Sequence, residues 1–214
     1  MPSPQATLER LSEGVPVASL TADFLEYRRP AGDDPLVLLV TAASASTGQA
    51  YATGVRPTVE SFQETFLEPE VVHTFAELGA LEADDSQLEA VFGAVRKRQV
   101  LVESAAVLAA RDEASDLAAL IGWAAEADYY RYQDDPIGSI SGIGPATFQF
   151  LRQLAGMDTA APRPDLVSLL ETVANRSSVP WETLNGPPEC VAAAEWLSLT
   201  TEFRLGAIDR LAWW

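Results

Sequence analysis

Two stretches of this chain carry residues whose types and spacing could do chemistry. In Gly142-Ile143-Gly144-Pro145, two glycines stand two apart ahead of a proline. Lacking a Cβ, both let the backbone turn tightly and come close to a ligand. Pro145 suits the first position of a helix, predicted over 145–156 with apolar residues at 148, 150, 151 and 154. The free amides at the start of such a helix, over Gly144, Pro145, Ala146 and Thr147, face outward with the positive end of the helix dipole. That is a site for one phosphate, and it needs no lysine. A tight helix–helix connection without a ligand fits the same residues. The second stretch is Arg96-Lys97-Arg98, within a segment (91–111) that holds four bases and one acid, Glu103. Basic side chains at a helix start oppose its dipole, which favours a phosphate partner. A merely solvated helix start is the alternative.

The rest of the inventory is exclusive. Cys190 is the only cysteine and His73 the only histidine. No intrachain disulfide, Cys-ligated zinc or iron–sulfur cluster can form, and the Ser-His-Asp and Cys-His mechanisms and two-histidine metal sites are ruled out. Catalysis would rest on Asp, Glu, Tyr, Ser or the backbone. Acids outnumber bases 31 to 14, for a net charge of −17, and Lys97 is the sole lysine beside thirteen arginines. That sign argues against nucleic acid. An acidic, lysine-poor surface does suit a cytosol of molar salt, where a Debye length of about 3 Å removes long-range repulsion. We therefore expect a halophile-type cytoplasmic protein.

At 214 residues, 48% of them hydrophobic, the chain has material for a real core. The longest apolar run, Pro35 to Ala45, is under two-thirds of the ~18 residues of a membrane span. The first residues carry an early acid and no apolar run, so neither a membrane segment nor a secretory signal is expected. Helical spacing dominates and the fold class is all-α, with roughly ten helices. Asp33-Asp34-Pro35 starts a helix over 36–46, and Ser61 with Glu64 reads as a capping box. Helices are predicted over 70–78 and 85–92, ending on Gly79 and Gly93. Others are predicted over 96–110, 114–127, 165–175, 188–200 and 205–213. Tyr129-Tyr130-Arg131-Tyr132 could stack on bases or sit in the core. Trp123, Trp181 and Trp196 read as core, and Trp213-Trp214 as a packing plug or an interface. His73 reads as structural, and Asp84-Asp85 and Asp134-Asp135 as caps or hydration sites rather than magnesium ligands.

With its apolar Ile137, Ile140, Ile143 and Leu151, the segment 137–151 resembles the helix–hairpin–helix DNA-binding motif. Other blocks are similar to the endonuclease III superfamily, the helix–hairpin–helix DNA glycosylases. Asp34-Pro-Leu-Val-Leu-Leu-Val-Thr-Ala-Ala-Ser44-Ala-Ser46 resembles that family's first core helix and the turn after it. Phe92-Gly93-Ala-Val-Arg96-Lys97-Arg98 resembles its basic turn. Asp165 follows Gly144 by twenty-one residues, where the family's essential aspartate is expected. The blocks stand in family order over about residues 34–175.

The resemblance implies a two-lobed all-α fold without an iron–sulfur cluster. A helical barrel over 34–150 would end in the hairpin, and 1–33 with 151–214 would form a second lobe carrying Asp165. It further implies a monomer that binds double-stranded DNA, flips a damaged base and hydrolyses it off. Breaking an N-glycosidic bond builds positive charge on the sugar, which the Asp165 carboxylate would stabilise while activating water. Asp165 could instead simply cap its helix. DNA contacts would come from Gly142, Ile143, Gly144, Pro145, Ala146, Thr147, Ser46, Arg96, Lys97 and Arg98. No organic cofactor is expected. The family's monovalent cation, K+ or Na+, would sit on the backbone carbonyls of Gly138, Ile140 and Ile143. The sequence departs from the pattern at Ala146, where lyase members carry lysine, and at Ser46, near the family's gap-filling glutamine (Gln49 is close by). Ala146, Ser46 and the net charge motivate an alternative, a non-catalytic DNA-binding or scaffold protein on the same fold. An unrelated acidic helical protein is a third reading.

Overall fold

The computed structural model describes residues 1–28 and 32–214 and is all-α, with no strand among the described residues. The helices are α1 (Pro4–Leu11), α2 (Val17–Leu25), α3 (Pro35–Ala45), α4 (Arg56–Phe62), α5 (Phe75–Gly79), α6 (Ser86–Phe92), α7 (Val95–Ala109), α8 (Asp116–Glu126), α9 (Pro145–Leu154), α10 (Pro164–Arg176), α11 (Pro187–Thr200) and α12 (Leu205–Trp213). None is long and apolar enough to cross a membrane. The chain divides into two compact units, Met1–Arg29 with Gly156–Trp214, and Pro30–Ala155. Helix α9, to Leu154, lies within the Pro30–Ala155 unit and packs against α3.

The Pro30–Ala155 unit is organised around α3. Asp34 caps this helix, its Oδ1 accepting the amides of Leu36 (2.9 Å) and Val37 (3.2 Å), and Pro35 takes the first turn. Residues from Leu36 to Ser44 are all buried, as expected of a helix apolar on every side. Helices α4, α7, α8 and α9 pack around it. Phe62 and Phe66 stack at 4.9 Å between ring centres, with the edge of Phe92 at 6.2 Å.

The Ser61–Glu64 capping box is not formed. Ser61 lies inside α4, which is flanked by π-helical turns at Tyr51–Val55 and Gln63–Leu67, so the chain is already helical where a start was expected. The helix predicted over 70–78 begins instead at Phe75. Thr74 caps it and Glu77 reaches back to the amides of His73 (2.7 Å) and Thr74 (3.1 Å). His73 is therefore exposed and outside any helix. Gly79 is the last helical residue rather than the stop, whereas Gly93 ends α6 with φ of +62°, as glycine permits.

In the other unit, Leu8 of α1, Val17 of α2, Leu166 and Leu170 of α10, Leu197 of α11 and Ile208 of α12 share one apolar core, which also takes in Cys190. Burial, with the nearby Asp209 charge, pushes the Cys190 thiol up to about 11, so it is an inert core residue. Asp209 is fully buried. It accepts the Ala161 amide (2.8 Å) and Arg163 (3.0 Å), and pairs with Arg210. The Arg210 guanidinium lies over Phe24 at 4.2 Å and Trp213 at 5.0 Å.

Candidate functional site

The hairpin leading into α9 is built on its own backbone. The amides of Ile140 and Ile143 donate to the carbonyls of Ile137 (3.1 Å) and Ile140 (3.0 Å), and the three isoleucines are buried. Asp135 anchors the turn: its carboxylate accepts the amides of Ile137 (2.8 Å) and Gly138 (3.1 Å) and the indole N–H of Trp123 (3.1 Å). Trp123 in turn meets Phe148 of α9 edge-on at 5.4 Å.

The three glycines answer to different causes. At Gly138 a Cβ would fall 1.8 Å from the Tyr132 carbonyl oxygen, so the backbones meet too closely for any side chain. Gly142 has φ of +112°, and a Cβ there would press on Val100 and on Arg96, at the start of α7. Gly144 has neither constraint: φ is −99°, and beyond the two neighbouring residues nothing lies within 4 Å of the place its Cβ would take. It is the N-cap of α9 and no side chain caps the helix. The first hydrogen bond of α9 is Phe148 to Gly144, at 2.9 Å, which leaves the amides of Ala146 and Thr147 without an intrahelical acceptor. Residues 144–147 are part-exposed. Chemically this is a helix N-terminus with open space before it, suited to an anion.

The reading of Arg96-Lys97-Arg98 as a solvent-facing cluster is corrected. Arg96 is exposed, but Lys97 and Arg98 are 3% and 5% exposed. Arg98 donates to the carbonyls of Ala83 (2.6 Å) and Gly93 (2.8 Å), tying down the turn before α7. Lys97 donates to Gln49 Oε1 at 2.7 Å, and burial holds its ammonium below the ordinary lysine range. Neither side chain is presented to a ligand. Ser46 ends α3, its hydroxyl donating to the Ala43 carbonyl at 2.7 Å.

Asp165 belongs to the other unit and is exposed in the first turn of α10. It is not the cap of that helix. Arg163 holds the N-cap position, and no side-chain cap is made. Its carboxylate accepts no hydrogen bond among the described residues.

Of the other candidates, Tyr129 is buried and Tyr130 is 53% exposed, so the aromatic run divides between core and surface. Trp213 and Trp214 are both exposed. Asp85 caps α6, and Asp134 pairs with Arg131. No group of three metal-ligating side chains occurs among the described residues. For a monovalent cation on the hairpin carbonyls, one lone pair of Ile140 is taken by the Ile143 amide, while the carbonyls of Gly138 and Ile143 accept nothing among the described residues. This all-oxygen set fits a hard cation.

The reading of Asp135 as a cap agrees with its bonds to the Ile137 and Gly138 amides, but its bond to the Trp123 indole was not visible in the sequence. An aspartate before proline reads equally as a surface turn, and its partner Trp123 stands twelve positions away. No protein-family model, curated protein or solved structure matches the chain.

Proposed function

We propose that this protein binds double-stranded DNA as a helix–hairpin–helix protein of the endonuclease III superfamily type, acting as a monomer in a high-salt cytoplasm. A backbone phosphate would sit on the amides of Ala146 and Thr147, with the exposed Arg96 beside the hairpin. The observation that carries this reading is Gly144: neither its backbone angles nor its packing require glycine, yet it opens an uncapped helix onto free space. Close approach of an outside group accounts for it. High salt would screen the −17 charge that otherwise opposes binding. A K+ or Na+ held by the carbonyls of Gly138, Ile140 and Ile143 would fix the turn and add positive charge near the phosphate.

The chemistry that goes with this reading is monofunctional base excision. The glycosidic C–N bond breaks, the base leaves with the bonding electrons, and the sugar becomes cationic. The Asp165 carboxylate stabilises that charge and takes a proton from the water that adds to the sugar. Schiff-base lyase chemistry by the family's usual lysine has no counterpart here, since Ala146 stands at that position and Lys97 is buried against Gln49.

A second reading, DNA binding without catalysis, is favoured by one observation. Asp165 is exposed and unanchored, and a carboxylate in water stabilises a nearby cation far less than a desolvated one. The test is base release in high KCl from duplexes bearing uracil, oxidised guanine or alkylated purines, with Asp165→Asn alongside. Release lost in the variant supports the glycosylase; binding with no release by either protein selects the second reading. Absence of DNA binding by the wild type refutes both.

A further inference from the structure

Asp165 sits where the start of α10 puts it, because its carboxylate accepts no hydrogen bond among the described residues. The residues leading into that helix are held from one point. Asp209, fully buried on α12, accepts the Ala161 amide at 2.8 Å and the Arg163 guanidinium at 3.0 Å. Between these two ties the Arg163 amide donates to the Ala161 carbonyl at 2.7 Å, closing a tight turn. Ala160 and Ala161 are buried, and Pro162 and Pro164 fix φ on either side of Arg163. Arg163 is the N-cap, and its carbonyl accepts the Val167 amide at 3.1 Å as α10 begins. One carboxylate thus sets the entry of the helix, two residues before Asp165.

Stability alone does not account for the Arg163 arm. Arg210 already pairs with Asp209, and its own guanidinium is held over Phe24 and Trp213. A second guanidinium puts surplus positive charge on the buried carboxylate. It also brings Arg163 Nε into the interior with no acceptor among the described residues. Both features cost free energy through desolvation. What the arm adds is direction, since it ties the N-cap of α10 to α12. A carboxylate with no bonds of its own needs its backbone fixed if it is to face one reacting atom.

We propose that Arg163 and Asp209 are positioning residues for Asp165, holding the first turn of α10 so that its carboxylate meets the sugar. This role rests on the glycosylase reading. The test uses the full chain in high KCl and compares the wild type with Arg163→Gln and Arg163→Lys. Both variants keep the Asp209–Arg210 pair and the Ala161 tie and leave the apolar core untouched, which urea midpoints check. Three quantities are read together: single-turnover base release from whichever damaged duplex the wild type acts on, affinity for that duplex by anisotropy, and amide hydrogen exchange over residues 164–168. Arg163→Gln should slow release about tenfold to a hundredfold and leave duplex affinity unchanged. It should speed exchange in the first turn of α10 but not in α11. Arg163→Lys, which returns one donor to Asp209, should recover part of both losses. Release as fast as in the wild type, a fall that merely follows weakened duplex binding, or unaltered exchange overturns the role and leaves the glycosylase reading intact. A wild type that releases no base removes that reading, and this role with it.

Discussion

Replacing Gly144 by aspartate should make the protein more stable and a poorer DNA binder. The backbone there, φ −99° and ψ 173°, is the extended conformation of an N-cap, and beyond the two neighbouring residues no atom lies within 4 Å of the new Cβ. An aspartate can therefore turn its carboxylate onto the amides of Ala146 and Thr147. Against glycine, a side-chain cap gains about 0.3 kcal/mol. Restricting the unfolded chain adds about 0.4–1 kcal/mol, and a carboxylate at the positive helix end about 0.3–1 kcal/mol. One more negative charge on a chain at −17 works against these gains, so about 1 kcal/mol remains. The same carboxylate occupies the proposed phosphate position. Two like charges at 4 Å repel by about 4 kcal/mol at an effective dielectric of 20, and even strongly screened this is at least about a tenfold loss of affinity. Urea unfolding and fluorescence anisotropy with a labelled duplex read the two effects. Gly144→Asn, which caps without charge, should fall between the wild type and aspartate in affinity. Undiminished binding by Gly144→Asp means the amides do not hold the phosphate. Destabilisation by more than about 1 kcal/mol means that Gly144 is there for the fold.

Two further perturbations test the frame. Asp135→Ala removes the acceptor of two hairpin amides and of the Trp123 indole. It should cost about 3 kcal/mol in urea unfolding and shift Trp123 fluorescence; an unchanged emission spectrum and midpoint would show that the hairpin is held otherwise. Burial pushes the Asp209 carboxyl up, but the charges of Arg210 and Arg163 and the Ala161 amide outweigh it and hold it below the usual carboxylate range. A depressed folded value contributes stability that is fully present above the unfolded value of about 3.9 and is lost as pH falls through the folded one. Asp209→Asn, which leaves two arginines without their counter-charge, should cost about 3–5 kcal/mol at neutral pH. It should also flatten the stability loss below about pH 4, and equal acid sensitivity of the two proteins would sink this account.

What could be read in advance divides along the range of the interactions. Asp34-Pro35 and Pro145 declared their helices because a cap or a fixed φ acts within a few residues, and Gly93 declared a stop for the same reason. Ser61 and Glu64 misled because a capping box has meaning only where a helix begins, and the preceding turn at 51–55 had already made the chain helical. The basic run failed differently. Three adjacent bases on a helix point in three directions, about 100° apart. Whether a guanidinium meets water or a carbonyl fifteen positions away, as Arg98 meets Ala83, depends on packing that no local spacing encodes. The hairpin lies between these cases. Gly138 and Gly142 are visible as glycines in the sequence, but only the structure gives their reasons, the Tyr132 carbonyl behind one and the α7 side chains behind the other. Gly144 has no such internal reason. A residue that the fold leaves free to be something else is the one whose identity must be explained from outside the chain, and that is why the case for a ligand is strongest there.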